Sequence, residues 1–453
     1  MMHKSSSLEY KNQVLFLGWT TKGRDIDIDT PLMYFFEEIL GWSVLHKTIF
    51  NLPEILKTNP DMVVMTNTTG GSRQVEIARL VEDSGFPFFS HVSEGMYREE
   101  SIEEFVWGSG KGQKKLSETL SMLWSQRAYD LATHYFPATK EIFRVSGAVG
   151  FDKYKFLEKA KPKLKNKYKR VIGYAAFDFL NIKSNKAIRE LLGEDKYQRL
   201  MAQAPITNNI LKNLIRNNND ILFILKNHPG DGENSISLEF EGLLDFENVQ
   251  VMDRDVSIVD IINASDLWLN LNSSTNLEAW LMEKPSISFL TDETNISEVI
   301  YGSVIEYDIN SIQSYINEFY ETGSILAFNE KKEFREQLIS DYIGYSDGLN
   351  HVRYMSCIKD FVELIESDKT IKGKWKISLS WRIKSKLQHL LYSMCKSRYG
   401  VPFFKRWAEY YDIYKQDELL GVKNRYYSSM RDFYSKNQKL IDEVYNNFAN
   451  TGK

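Results

Sequence analysis

DILFILKNHPG, residues 220–230, and VSIVDIINASDLWLNLNSSTNLEAWLMEKPSISFL, residues 256–290, form the stretch that decides the fold. Ile221 to Leu225 is a short apolar run that delivers Lys226, His228 and Pro229 at its carboxyl end. Leu267 to Leu271 repeats the device and delivers Asn272, Ser273, Ser274 and Thr275. A helical segment follows over Asn276 to Glu283, and then a third apolar run, Ser286 to Leu290. Strand, polar loop, helix, strand is the βαβ order of a parallel sheet. In such sheets ligands collect where strands end and helices begin, and small hydroxyls with free backbone N–H groups there suit a phosphate.

Working outward, the N-terminal part repeats the alternation. Strands are expected at Val14–Leu17, Trp42–His46, Met62–Met65 and Phe86–His91, with helices over Pro31–Leu40 and Ser72–Ser84. Gly18–Thr30 reads as a polar loop whose Asp25, Asp27 and Asp29 are expected to be solvated. Ser101–Gly112 reads as a loop and Leu116–Thr133 as a helix. A Lys-rich stretch, Lys153–Arg170, reads as a linker, and a new sheet begins at Val171–Tyr174. Helices are expected over Lys186–Arg216, a last sheet element over Glu298–Ile305, and a mostly helical chain from Ile312 onward. The expected fold class is α/β: two Rossmann-like domains facing across a cleft, residues 1–165 and 166–330, with a helical C-terminal extension, 331–453, packing back in part on the first domain.

Composition narrows the function. The chain has 453 residues, a hydrophobic share of 43% and a net charge of -4, which argues against a protein that coats nucleic acid. Two cysteines, Cys357 and Cys395, imply no disulfide framework and no Cys-based zinc site. There is no apolar signal core and no run of about 18 apolar residues, so a cytoplasmic protein is expected. Charge is uneven, however. Lys369 to Arg406 holds eleven Lys or Arg and no Asp or Glu, among Trp375, Trp381, Tyr392, Phe403, Phe404 and Trp407. Residues 369–407 therefore read as a segment for an anionic membrane surface, or as a basic packing face.

Four places at strand ends could carry chemistry. Ser93-Glu94-Gly95 puts a carboxylate on a glycine-bordered turn, where Glu94 could act as acid or base; a surface turn would read the same way. Lys226-Asn227-His228-Pro229 places an imidazole that could hold a phosphate oxygen. Ser273-Ser274-Thr275, with Glu278 one turn on, could clamp a phosphate and meet ribose hydroxyls, or simply cap a helix. Asp178, after the first strand of the second sheet, could be a nucleophile, a charge stabiliser or an ordinary helix-start residue. No metal site and no bound cofactor are expected. The P-loop and dinucleotide glycine patterns are both missing.

These motifs resemble the GT-B-type glycosyltransferases. More narrowly, Ser93-Glu94-Gly95, His228-Pro229 and Ser273-Ser274 are similar to the acidic-Gly, His-Pro and Ser motifs of bacterial CMP-sugar transferases, those of sialic acid and Kdo. HVSEG (91–95), VSG (145–147), GYAAFD (173–178) and YSDG (345–348) look like surface-carbohydrate biosynthesis proteins related to retaining β-Kdo transferases. The resemblance spans residues 10 to 355. It implies a metal-independent enzyme of surface polysaccharide assembly, such as lipopolysaccharide or capsule. Such an enzyme transfers a sugar, Kdo or a related acidic sugar, from a CMP-linked donor to a glycan or glycolipid acceptor at the inner membrane face. It further implies that Lys226, His228, Ser273, Ser274, Thr275 and Glu278 hold the nucleotide, that Glu94 is the acid/base, and that Asp178 is the nucleophile of a retaining reaction. Two departures from the pattern, Ser93 where an acid is common and Lys-Asn-His-Pro for Lys-Pro-His-Pro, bear on the donor more than on the fold. The rival readings are a CDP-alcohol-dependent polyol-phosphate transferase and a non-catalytic scaffold of the same fold.

Overall fold

Twelve short strands, all paired in parallel, make two six-stranded sheets in this computed structural model. It describes residues 12–20, 24–108, 115–158, 162–165, 167–231, 235–253, 256–291, 297–368, 370, 373–396 and 416–451. The chain divides into two compact units, Met1–Leu157 with Ser340–Lys453, and Glu158–Ile339.

The first unit holds β1 (Gln13–Gly18), β2 (Ser43–Thr48), β3 (Met62–Thr66), β4 (Phe88–His91), β5 (Leu120–Leu123) and β6 (Phe143–Val145). They lie in the order β2-β1-β3-β4-β5-β6. The middle strands are buried on both faces, which is why they read as unbroken apolar runs. One of the cores they cover packs Leu15, Leu17, Val63, Met65, Ile77, Val81 and Phe88 together. The C-terminal helix Gln416–Thr451 lies on this unit. Tyr34 meets Tyr427 and Tyr434 edge-on, Tyr426 donates to Asp27, and Tyr434 bonds His351, whose other nitrogen meets Asp152 at 2.7 Å.

The second unit holds β7 (Arg170–Ala175), β8 (Ile221–Lys226), β9 (Val249–Met252), β10 (Leu267–Asn270), β11 (Ser286–Phe289) and β12 (Val304–Glu306), in the order β12-β11-β10-β7-β8-β9. Strand order reverses between β7 and β10, so the loops after these two strands flank the crevice where doubly wound sheets bind ligands. Gly173 is needed in β7, because a Cβ there would stand 2.5 Å from the Trp268 ring and 2.3 Å from Ser265 Oγ.

Several expectations fail for physical reasons. Leu116–Thr133 is not one helix: β5 occupies Leu120–Leu123 and a helix starts only at Gln126, capped by Ser125. A four-residue, fully buried run has no periodicity to separate it from a helix. Gly18–Thr30 is not a solvated loop, since a helix runs over Arg24–Tyr34 and Asp29 is buried. Ser101–Gly112 contains the helix Ile102–Trp107, while 109–112 lies outside the described residues. The edge strand β9 is a finding with no counterpart in the sequence reading. Residues 397–407 of the basic-aromatic segment also lie outside the described residues.

Candidate functional site

The register of the second sheet levels its strand ends. Tyr174 pairs with Leu225 on one side and Leu269 on the other. Parallel neighbours lie about 4.8 Å apart, so the ends of β8 and β10, which carry the His228 and Asn272–Ser273 loops, are about 10 Å apart with β7 between them.

The β8 loop is tied down before it reaches solvent. Asn227 Oδ1 accepts from Ser237 N at 3.1 Å, and Asp231 accepts from His228 N at 3.2 Å and from the Ser237 hydroxyl. These bonds fix the backbone of His228 and leave its ring about one-third exposed, at 32%. Nδ1 then lies 2.8 Å from Asp178 Oδ1 and 3.0 Å from Gly230 N. Nδ1 accepts from Gly230 N, so its 2.8 Å approach to Asp178 Oδ1 is a close polar contact and not a hydrogen bond, and that oxygen has no hydrogen-bond partner among the described residues. Asn181 Nδ2 holds the other Asp178 oxygen at 3.0 Å. Gly230 closes the arrangement, since a Cβ there would come within 2.8 Å of Asp178 Oδ1.

Glu239 lies behind this pair, fully buried, and accepts from Phe177 N at 2.7 Å. Burial pushes its pKa up to about 8. The backbone bonds pull the other way, and the charges of Asp231 and Asp178 add to the rise. Burial thus favours its neutral form under the β7 loop.

On the other side of β7, the β10 loop is shaped by Asn270. Its side chain accepts from Ser273 N at 2.8 Å and donates to Thr275 Oγ1 at 2.8 Å. Asn272 takes a left-handed φ of 46° and accepts from Ser297 N. The Thr275 hydroxyl also receives Trp268 Nε1, so it is used within the protein. Ser274 is exposed and its side chain does not cap the helix that follows, Thr275–Leu281. Glu278 is half-buried in that helix's first turn. Lys226 is buried, with Nζ 3.3 Å from the Asn227 carbonyl, an internal placement at the strand end.

In the first unit, Glu94 is exposed on a turn whose neighbours are fixed. Ser93 accepts from Asn67 Nδ2 at 2.5 Å, and its N–H donates to Asn67 Oδ1 at 2.9 Å. A Cβ on Gly95 would stand 2.4 Å from the Trp124 indole, which itself donates to the Val92 carbonyl. Ser93 and Gly95 therefore face inward and Glu94 is turned outward.

Sequence reasoning missed two buried carboxylates. Asp29 meets His91 Nε2 at 3.1 Å, His46 Nε2 at 3.2 Å and Thr66 Oγ1 at 3.1 Å. Burial acts to raise its pKa, but the bonds from His46 and His91 outweigh that and hold it at about 2. The other is Glu239. The separation of Asp29 from His46 and His91 in the chain hid the first; for the second, an acid in a spacer carried no signal at all. Among the described residues one group could reach a single cation. The ligating atoms of Asp178, His228 and Asp231 lie within 4.8 Å of one another, and each residue is engaged by the bonds above.

No family model matches the chain, and no curated protein does. Solved structures do match its fold. A protein of Listeria monocytogenes assigned to the UDP-N-acetylglucosamine 2-epimerases is 13% identical, with a TM-score of 0.51, over 78% of this chain and 97% of that one. The S. aureus MnaA–UDP structure is 13% identical at a TM-score of 0.50, over the same shares. A glycosyltransferase of Rickettsia africae is 12% identical over 78% of this chain and 99% of that one, at 0.44, a score too low to carry an argument. At these identities the likeness concerns architecture. The chain has the two-unit, doubly wound α/β fold of the GT-B type, with a C-terminal helix added.

Proposed function

We propose that this chain is a glycosyltransferase that moves a sugar from a nucleotide-linked donor onto a lipid-linked or growing glycan. The observation that carries the reading is the Asp178–His228 pair at the carboxyl edge of the second sheet, with Ser273 and Ser274 on the far side of β7. With Nδ1 accepting from Gly230 N, Nε2–H is the donor left for a phosphate oxygen of the leaving nucleotide. The Ser273 and Ser274 hydroxyls approach the same phosphates from the β10 side, and Glu278 takes the ribose. Asp178 acts as the positioning residue for the imidazole. A covalent role would require it to leave His228 and Asn181. Glu94, presented on its turn, is the proposed acid/base of the acceptor hydroxyl.

The finer donor reading, CMP-linked Kdo or a related acidic sugar, rests on the motif resemblance. The solved MnaA structure contains UDP, so the two nucleotides belong side by side in the first test. The protein is incubated with CMP-Kdo, CDP-glycerol and UDP-N-acetylglucosamine, and nucleotide release is followed. Release of CMP or UDP with sugar transfer supports the proposal. Consumption of CDP-glycerol alone favours the polyol-phosphate reading, and an isomerised sugar still joined to UDP means epimerisation. A nucleotide at 100 times its dissociation constant should stabilise the fold by about 2.7 kcal/mol. No stabilisation by any nucleotide would leave a scaffold.

A further inference from the structure

We propose that the helix Leu379–Lys396 is an interfacial helix that lays an apolar stripe into the surface of an anionic lipid bilayer. Leu379, Ile383, Leu387 and Leu390 are 74%, 56%, 53% and 56% exposed. At about 100° per residue these four side chains fall within an arc of about 80°. Four large aliphatic residues on one line of one helix differ from the scattered exposed leucines that any surface carries.

The opposite face is occupied. Trp381 lies about 160° from the centre of that arc by the same count, and it packs with Trp375 on the first unit's core beside Leu52, Ile55 and Phe86. Trp375 Nε1 donates to the Thr58 carbonyl at 2.9 Å, Lys376 N donates to Ser84 Oγ at 3.0 Å, and Lys384 Nζ meets Glu76 at 3.0 Å. The helix is thus anchored by its aromatic side and presents its aliphatic side outward.

Charge selects the occupant. Gly373 to Lys396 holds six Lys or Arg and no Asp or Glu. Arg382 and Lys386, both exposed, border the stripe, and exposed Lys374 and Lys376 precede it. A second copy docked on this face would oppose cation to cation, which disfavours a homodimer. A surface that is apolar below and anionic at its rim satisfies both features, as a bilayer with acidic headgroups does. Among the described residues no helix is long and apolar enough to cross a membrane, so the contact is parallel to the surface. The contact is independent of the donor chemistry proposed above.

The test is co-sedimentation of the full chain with phosphatidylcholine vesicles and with vesicles that also contain phosphatidylglycerol. The wild-type protein should pellet with the anionic vesicles, less so as salt rises, and stay in solution with the neutral ones. An Ile383→Glu/Leu387→Glu variant should lose binding by at least about tenfold with an unchanged melting temperature. Arg382→Gln/Lys386→Gln should weaken it by on the order of tenfold at low salt. Equal binding by the Ile383/Leu387 variant would overturn the proposal. So would a wild type that ignores anionic vesicles, or a wild-type dimer that the same variant dissolves.

Discussion

The two sheets end alike and differ in what they leave open. In each, the strand beyond the switch point, β3 or β10, ends in an Asn with left-handed φ, 53° at Asn67 and 46° at Asn272, followed by two small hydroxyl residues. In the first unit most polar groups at these ends pair with one another, His91 Nδ1 being left without a hydrogen-bond partner among the described residues. Asn67 is taken by Ser93, Thr68 by Glu118, and Asp29 by His46, His91 and Thr66, all but Asn67 buried. In the second unit His228 and Asp178 are one-third to one-quarter exposed and Ser274 faces solvent. Two doubly wound sheets of different strand order thus end in a dry, pre-paired edge in one unit and an open, charged edge in the other. Leaving-group chemistry is expected at the open edge, and stability effects at the closed one, where Glu94 alone of the proposed residues is turned outward.

The largest contrast comes from removing His228 at the open edge and Asp29 in the closed network. His228→Ala should lower sugar-transfer turnover by about 100- to 1000-fold, a far larger effect than its change in unfolding free energy, because the ring lies at the open sheet edge, one-third exposed, and donates at the leaving group. Steady-state kinetics and a urea melt on the same variant check both halves.

Asp29→Asn should show the reverse, a stability cost of about 2–4 kcal/mol, since it breaks a buried charge network. Its pH dependence has a definite sign. The folded pKa, about 2, lies below the ordinary carboxyl value of 3.8, so the contribution is full above about pH 4 and is lost as pH falls through about 2. The pKa difference is worth about 2 kcal/mol. Urea melts at neutral pH and at pH 3 should show the wild type losing part of its advantage over the variant.

Glu239 lies under the open edge and carries the opposite sign. Its folded pKa, about 8, lies above the ordinary carboxyl value of 4.5, so the folded state binds more protons between those values. Wild-type stability should therefore fall as pH rises from about 4.5 to about 8, and Glu239→Gln should flatten that slope. Melting temperatures across this range, wild type against variant, decide it.

The smallest effect belongs to Ser274→Ala. Losing one exposed hydroxyl from a phosphate contact should weaken nucleotide binding by about 1 kcal/mol, several-fold in Kd by calorimetry, and leave the fold untouched.

How far the sequence could foresee this differs between backbone and site. Long apolar runs such as Ile221–Leu225 announce central parallel strands, because burial on both faces removes every polar residue. β9, Val-Gln-Val-Met at the sheet edge, has Gln250 half-exposed and too few residues to show a pattern. His228 and Ser274 were legible because both follow such runs directly. The partnership of His228 with Asp178 was not, since the two are fifty residues apart and meet only through the parallel pairing of β7 and β8. Asp29 was misread for the same reason: an alternating acidic stretch looks solvated until β2 and β4 bring His46 and His91 to it.

The central claim is that a nucleotide's phosphates rest between His228 and the Ser273–Ser274 loop. A crystal structure of the chain soaked with UDP, and in parallel with CMP, tests it most directly. The account predicts phosphate density within hydrogen-bond reach of His228 Nε2 on one side and a Ser273 or Ser274 hydroxyl on the other, with the Asp178 contact kept. Nucleotide density elsewhere on the chain, leaving these side chains to bulk water, would contradict it.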